Sequence, residues 1–208
     1  MKLFASLLIA AAFVAPTFSH ANEPTSAAAK PDLAQGEAVF KSNCVECHGA
    51  GGNSTSTTYP KLAQQHSEYL LKQLHEFKSG KRANTVMSGI VAKLSEEDMK
   101  NVTAWVSTQK AEKGVAKEKA LVMEGERIYR GGIADRQIPA CAGCHTPTGA
   151  GIPSQYPRLS GQHADYATAQ LKAFRDGVRK NSVQMTGVAA KLNDREIKAV
   201  SDYVAGLR

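Results

Sequence analysis

The feature that most constrains the fold of this chain is a long internal repeat. Residues that recur unchanged 97 positions further along include Cys44, Cys47, His48, Tyr59, Pro60, Leu62, His66, Tyr69, Leu74, Phe77 and Gly80. Met87 and three later residues recur 98 positions further along, which indicates one extra residue near Gln184 in the second copy. Such a repeat within 208 residues predicts two similar domains in tandem, joined through the charged, helix-compatible stretch 107–120.

Both copies have the pattern of helical domains. In the first copy, Leu70, Leu74 and Phe77 are spaced so that they fall on one face of a helix. Ser95 and the three acidic residues after it are typical of a helix start, because serine can cap backbone N–H groups and acids suit the positive end of the helix dipole. We find no convincing alternating strand pattern, and therefore predict an all-α fold with domains at residues 35–113 and 114–208.

The beginning of the chain is typical of a secretory signal peptide. Lys2 precedes an apolar run from Leu3 to Val14, and the small residues up to Ala21 suit a signal peptidase. The run is shorter than the ~20 residues that a membrane-spanning helix needs. We therefore expect a cleaved signal peptide at residues 1–21, a flexible leader at residues 22–34 and a mature protein in the periplasm.

All four cysteines lie in two C-x-x-C-H motifs. These motifs are formed by Cys44, Cys47 and His48, and by Cys141, Cys144 and His145. This pattern is the attachment signature of c-type haem. Two thiols three residues apart lie about one helical turn apart, so both can form thioethers to one haem while the following histidine reaches the iron. The sequence therefore predicts two covalently bound haem c groups, one in each domain.

Three other roles for the cysteines remain open from the residues alone. Four cysteines in a secreted chain could form two disulfides, which would leave both histidines unexplained. A thioredoxin-like redox site lies near a βαβ pattern, which surrounds neither motif. A zinc ribbon places its cysteine pairs roughly 15–20 residues apart, whereas Cys47 and Cys141 are 94 residues apart.

With these motifs, the chain resembles the dihaem cytochromes c4, which are built from two class I cytochrome c domains. The resemblance also rests on the segments Y-P-K-L and Y-P-R-L, K-R-A-N-T-V-M and R-K-N-S-V-Q-M, and G-Q-H-A-D-Y. It implies a periplasmic one-electron carrier of the respiratory chain, with a cytochrome bc1-type donor and a terminal oxidase as acceptor. It further implies that the carbonyl oxygens of Pro60 and Pro157 accept the Nδ1–H of His48 and His145.

The repeat narrows the choice of the second axial ligand of each iron. Among the methionines beyond the signal peptide, only Met87 and Met185 occupy matching positions, in predicted loops between helices. The family resemblance assigns these two as axial sulfur ligands opposite the motif histidines. His66 and His163 also repeat and are rival ligands. Each lies at a predicted helix start, where a capping or loop hydrogen bond is the alternative role.

Histidine–methionine ligation favours electron transfer over catalysis, because it closes both axial positions of the iron. We therefore expect an electron carrier and not an enzyme. A dihaem enzyme, such as a peroxidase or a thiosulfate-oxidising enzyme, would need an open or labile iron site with acid–base groups nearby. A cytochrome subunit held in an enzyme complex is the other alternative, and co-purification with a catalytic subunit would favour it.

The chain is basic, with a formal net charge of +7. The excess lies mostly in the second domain, since residues 22–113 carry a net charge of +1 and residues 114–208 one of +5. A protein outside the cytoplasm meets little nucleic acid, so we expect an acidic redox partner or peripheral association with an anionic membrane. Candidates for part of such a surface are Lys172, Arg175, Arg179 and Lys180, and the alternative is a solvated basic face that binds no partner.

Overall fold

The computed structural model describes residues 30–208, so the predicted signal peptide and most of the predicted leader lie outside the described residues. The described part contains two short 3-10 helices, Ala50–Gly52 and Ala134–Arg136, and ten α-helices. The α-helices are α1 Leu33–Asn43, α2 Val45–His48, α3 Ser67–Lys78, α4 Thr85–Val91, α5 Glu96–Thr108, α6 Lys119–Gly131, α7 Ala142–His145, α8 Ala164–Arg175, α9 Val183–Ala189 and α10 Asp194–Gly206. No strand forms within residues 30–208, where two isolated bridges occur, so the predicted all-α fold is confirmed.

Side-chain caps determine where the main helices begin. The Asp32 carboxylate accepts two backbone N–H groups of the first turn of α1, so this helix begins at Leu33, inside the predicted leader. The predicted cap at Ser95 is confirmed, and it forms a capping box with Asp98 at the start of α5. Asn193 begins α10 in the same way.

The first and last helices of each repeat cross at a glycine. In the first repeat α1 packs on α5, and in the second repeat α6 packs on α10. A Cβ at Gly36 would overlap the carbonyl oxygen of Asn101, and a Cβ at Gly125 would overlap that of Ala199. The crossing therefore requires glycine at both positions, Gly36 in the first repeat and Gly125 in the second.

A buried apolar cluster surrounds each crossing. The cluster of the first repeat consists of Val39, Phe40, Leu70, Leu94, Met99, Val102 and Val106. The cluster of the second repeat includes Ile128, Tyr129, Val200, Tyr203, Val204 and Leu207. Met99 is 1% exposed, so it is an ordinary core residue, whereas Met123 is 81% exposed. The helix faces predicted from the spacing of apolar residues are therefore the faces that pack in the core.

The segment between the repeats is fixed in place but is not helical. Helix α5 ends at Thr108 and α6 begins at Lys119, so most of the stretch predicted to be helix-compatible is irregular. Asn53 bonds two backbone groups near the start of this segment. The buried carboxylate of Asp202 accepts two backbone N–H groups near its end. Asn53 and Asp202 thus provide hydrogen-bond partners for backbone groups that would bond to each other in a helix.

The second repeat has eight more residues before its cysteines than the first. They form a turn around the 3-10 helix Ala134–Arg136, closed by backbone hydrogen bonds between Ile133 and Ile138. Among the described residues, no helix is long and apolar enough to cross a membrane.

Candidate haem sites

The two cysteine–histidine motifs form short helices at equivalent places in the two repeats. Cys44 directly precedes α2, which ends at His48, and Cys141 directly precedes α7, which ends at His145. All four cysteines lie in the described part of the chain and are free of disulfides. Burial is the main cause that raises the pKa of the Cys44 and Cys141 thiols to about 11. Both thiols are therefore protonated near neutral pH.

A proline carbonyl holds each motif histidine, as the resemblance implied. His48 Nδ1 donates to the Pro60 oxygen at 3.0 Å, and His145 Nδ1 donates to the Pro157 oxygen at 3.0 Å. Because a carbonyl only accepts, the proton lies on Nδ1, and Nε2 keeps the lone pair that can bind iron. Burial lowers the pKa of both histidines and outweighs the opposing effect of these bonds, so both rings are neutral near neutral pH.

Apolar side chains surround each motif. Cys44 packs against the buried apolar cluster of the first repeat. Five half-buried apolar side chains pack against the same cluster: Leu62, Tyr69, Leu71, Leu74 and Trp105. Leu159 and Leu171 occupy similar places around Cys141. Within residues 30–208, no three Cys, His, Asp or Glu side chains converge to hold a metal ion unaided. The donor set therefore fits a haem, whose iron needs only axial ligands from the chain, better than tetrahedral zinc.

Met87 and Met185 lie in short helices, so their predicted placement in loops is wrong. Each methionine is the third residue of its helix, α4 or α9. Asn84 accepts the backbone N–H of Met87 at 2.9 Å, and Ser182 accepts that of Met185 at 3.3 Å. In each repeat the capping residue lies three positions before the methionine, and the helix begins at the residue after the cap. Both methionines are half-buried, and their role as axial ligands stays a prediction.

The extra residue of the second repeat lies in the turn before α9, a few residues earlier than predicted. Helices α4 and α9 both have seven residues. One residue separates Arg82 from the cap Asn84, whereas two residues separate Arg179 from the cap Ser182. The capped helix is therefore unchanged by the insertion.

The repeated histidines His66 and His163 join the two repeats. Each directly precedes a helix, α3 or α8, yet neither side chain caps that helix, so the capping alternative is wrong. His66 Nε2 donates to the Ala150 oxygen at 2.9 Å, and His163 Nε2 donates to the Ser54 oxygen at 2.8 Å. The predicted hydrogen bond to a loop exists, but the loop belongs to the other repeat.

Two glutamines connect the loops that hold the motif histidines. Gln65 Nε2 donates to the Arg158 oxygen at 2.9 Å, and its Oε1 accepts the Arg158 N–H at 2.8 Å. Gln162 makes the same pair of bonds with Lys61, both at 2.9 Å. Lys61 and Arg158 directly follow the two anchoring prolines. Each histidine anchor is therefore one residue from the interface between the repeats.

Two buried arginines meet in this interface and form what we call the arginine cluster. Arg82 donates at 2.8–2.9 Å to Gln73, Tyr166 and Gln170. Arg179 donates at 2.8–3.2 Å to Tyr69, Gln73, Gln170 and Asn181. The guanidinium groups also lie over the rings of Phe77 and Phe174, at 4.5 and 4.4 Å from the centroids. The cluster is therefore a polar contact between equivalent parts of the two repeats.

The predicted basic surface of the second repeat is wrong in its composition. Arg179 is 8% exposed, because it belongs to the arginine cluster. Lys172 and Arg175 both bind Asp194, at 2.9 and 2.6 Å, which partly neutralises their charge. Sequence spacing alone could not separate these buried or paired cations from free ones.

Comparison with known proteins identifies the family. The family model described as cytochrome c matches residues 33–110 and 122–208. Cytochrome c4 of Pseudomonas aeruginosa is 44% identical over 180 residues, which cover 85% of this chain and 89% of that protein. The chain belongs to the cytochrome c4 family.

Membership of the cytochrome c4 family agrees with two further similarities. The crystal structure of reduced recombinant cytochrome c4 from Pseudomonas stutzeri is similar with a TM-score of 0.82 and 41% identity, covering 86% of this chain and 100% of that chain. A thiosulfate dehydrogenase electron acceptor of Stutzerimonas stutzeri is 37% identical over 169 residues, covering 79% of this chain and 78% of that protein. The chain is a dihaem electron carrier with two tandem cytochrome c domains, each binding one haem c covalently.

Proposed function

We propose that this chain carries single electrons in the periplasm from a cytochrome bc1-type donor to a terminal oxidase. The observation that carries the proposal is the duplicated site: each repeat has the same cysteine–histidine helix, proline anchor and capped methionine helix. The signal peptide predicted at residues 1–21 supports the periplasmic location. The net charge of +7 supports an acidic partner or peripheral contact with an anionic membrane.

The chain's own residues hold and orient the redox groups. In each repeat two cysteines would attach a haem, and a histidine and a methionine would bind its iron: Cys44, Cys47, His48 and Met87, then Cys141, Cys144, His145 and Met185. Bound haem supplies a one-electron ferric–ferrous couple. The proline carbonyls orient the imidazoles and make them better donors, while the Asn84 and Ser182 caps fix the backbone of the methionines. With a histidine and a methionine bound, the iron would have no position left for a small molecule.

A thiosulfate dehydrogenase is a second candidate donor. The observation that favours it is the 37% identity to a thiosulfate dehydrogenase electron acceptor. Stopped-flow reduction of the oxidised protein separates the candidates, using a bc1-type complex with quinol or a thiosulfate dehydrogenase with thiosulfate. Fast, saturable reduction is expected from the physiological donor, and oxidation by a terminal oxidase should follow. Failure of the oxidase to reoxidise the protein would contradict the proposed acceptor.

Haem content and ligation are tested together on the purified holoprotein. A pyridine haemochrome assay should give two haems per chain, and the ferric spectrum should contain a methionine–iron charge-transfer band. Met87→Ala and Met185→Ala should each remove about half of that band, since each removes one of two sulfur ligands. Met123→Ala, at an exposed position, is the matched control and should leave the band intact. A full band in both ligand variants contradicts the assignment.

The periplasmic location is tested by fractionating cells that express the full chain. The haem protein should be recovered in the periplasm with its N-terminus at Asn22. Recovery of an uncleaved chain in the cytoplasm would contradict the signal peptide.

A further inference from the structure

The residue that follows the motif histidine differs between the two repeats. In the first repeat it is Gly49, and 97 positions later it is Thr146. Both have a similar backbone conformation, with φ 72° and ψ 169° at Gly49 and φ 67° and ψ 157° at Thr146. Glycine adopts such angles readily, whereas a β-branched residue does so only under strain. The second candidate haem site therefore contains backbone strain one residue from His145.

The strained residue also lacks a hydrogen bond that closes the equivalent helix of the first repeat. The Gly49 N–H donates to the Val45 oxygen at 2.9 Å and so closes α2. No such bond from Thr146 to Ala142 closes α7 within residues 30–208. Backbone in a sparsely populated conformation persists only where its surroundings hold it. Other contacts must therefore hold Thr146 in place.

Tyr129 supplies one such contact from the core. Its hydroxyl donates to the Thr146 oxygen at 2.7 Å. The Tyr129 ring is fully buried and packs on Tyr203, with 5.5 Å between the ring centroids, so the hydroxyl has a fixed direction. The first repeat has Phe40, which carries no hydroxyl, at the equivalent position. The hydroxyl thus occurs in the same repeat as the strained threonine.

Two bonds from the following loop also reach Thr146. The Gly149 N–H donates to the Thr146 oxygen at 3.1 Å, and the Ala150 N–H donates to Thr146 Oγ1 at 3.0 Å. Of these three donors, Tyr129 alone belongs to a helix of the core. It therefore ties the loop after His145 to the packed helices.

Holding Thr146 fixes the backbone from which the His145 ring extends. The distance from His145 Nδ1 to the Pro157 oxygen is 3.0 Å, the same as the distance from His48 Nδ1 to the Pro60 oxygen. The two rings are thus held alike, although the residues after them differ. Relaxation of Thr146 toward negative φ would rotate the chain that leaves His145 and lengthen the bond to Pro157.

We propose that Tyr129 is a positioning residue of the second haem site, which acts through Thr146 on the orientation of His145. The bond to Pro157 makes the imidazole a stronger donor, and a stronger donor favours ferric over ferrous iron. Tyr129 thus helps to set the reduction potential of one haem. The proposal rests on the proposed role of His145 as an iron ligand, but not on the identity of either redox partner.

Tyr129→Phe tests the proposal, because it keeps the ring and removes only the hydroxyl. In the full holoprotein it should raise the midpoint potential of one haem and leave that of the other unchanged, since a displaced His145 donates less to the iron. Phenylalanine already occupies the equivalent position in the first repeat, as Phe40, so the variant should fold. Tyr203→Phe is the matched control, because its hydroxyl makes no hydrogen bond to Thr146 in the described part of the chain.

Adding Thr146→Gly to Tyr129→Phe distinguishes positioning from support of the core. Glycine adopts the required backbone angles without strain, so the double variant should regain the potential of the unaltered protein. Spectroelectrochemical titration at neutral pH measures both potentials of each variant. If Tyr129→Phe only lowers the melting temperature and keeps both potentials, the proposal is overturned. A shift that persists in the double variant overturns it too.

Haem content separates a failure of this proposal from a failure of the proposed function. An unaltered protein with fewer than two haems per chain in the haemochrome assay contradicts the proposed function itself. Two haems with unmoved potentials contradict only the role of Tyr129. Should Tyr129→Phe lose one haem, recovery of that haem in the double variant supports the proposal, and continued loss overturns it.

Discussion

Replacing the two interface glutamines by alanine should destabilise the protein in proportion to the hydrogen bonds that they make. Gln65 makes three: two with the backbone of Arg158 and one with the N–H of His66 at 3.1 Å. Gln162 makes the equivalent three bonds, two with the backbone of Lys61 and one with the N–H of His163. The partners are partly buried backbone groups, so truncation leaves them without an acceptor or donor.

The size of the effect follows from this count. At about 1 kcal/mol for each lost hydrogen bond, Gln65→Ala and Gln162→Ala should each lower the free energy of unfolding by ~3 kcal/mol. For a protein of this size, 1 kcal/mol corresponds to about 2–4 °C, so each melting temperature should fall by roughly 6–12 °C. The double variant should lose less than the sum, because both glutamines hold the same pair of loops.

Differential scanning calorimetry of the ferric holoproteins measures these changes. The unaltered protein should unfold in one cooperative transition, and the double variant should resolve into two as the domains unfold separately. Gln155→Ala, at an exposed glutamine, is the matched control. If the interface variants melt at the same temperature as this control, the reasoning from the interface bonds is refuted.

Two further changes test the helix crossing and the buried carboxylate. Gly36→Ala should lower the free energy of unfolding by about 1–3 kcal/mol, because its methyl group pushes α1 away from α5. Gly131→Ala is the control, since its methyl group would meet no neighbour. Thermal melts followed by circular dichroism compare the two variants, and equal melting temperatures would contradict the close crossing. Burial raises the pKa of Glu76, but bonds from Lys72 and Asn181 lower it overall. The carboxylate therefore stabilises the fold at neutral pH, and this stabilisation is lost as pH falls toward the folded pKa. Glu76→Gln should flatten the fall of melting temperature between about pH 7 and about pH 3, and an unchanged slope would count against this.

The fold and the haem sites could be predicted because their signals are local in sequence. Cys44, Cys47 and His48 lie within five consecutive residues, so their proximity does not depend on the rest of the chain. The start of α5 was equally local, since Ser95 and Asp98 lie three residues apart. Met87 lies in a helix and not in a loop because the side chain of Asn84, also three residues away, caps that helix.

The contacts between the repeats could not be predicted, because they join residues far apart in sequence. Arg82 and Gln170 are separated by 88 positions, and Gln65 and Arg158 by 93. One signal was present in the sequence: a glutamine recurs 97 positions apart, as Gln73 on α3 and Gln170 on α8. The apolar residues of these helices already form the core, so the core does not explain the glutamines. A polar residue kept in both copies of a helix marks a position where a buried polar contact can form. Its partner, however, can be identified only once the two repeats are placed together.

The interface glutamines recognise the main chain of the opposite domain and not its side chains. Lys61 and Arg158 contribute only their backbone N–H and C=O to these bonds, and every residue except proline offers the same pair. Mutation can therefore change the charge at these two positions while the domains keep the same fit. Selection by a redox partner can thus adjust the electrostatic surface over evolutionary time without altering the separation of the two electron-carrying centres.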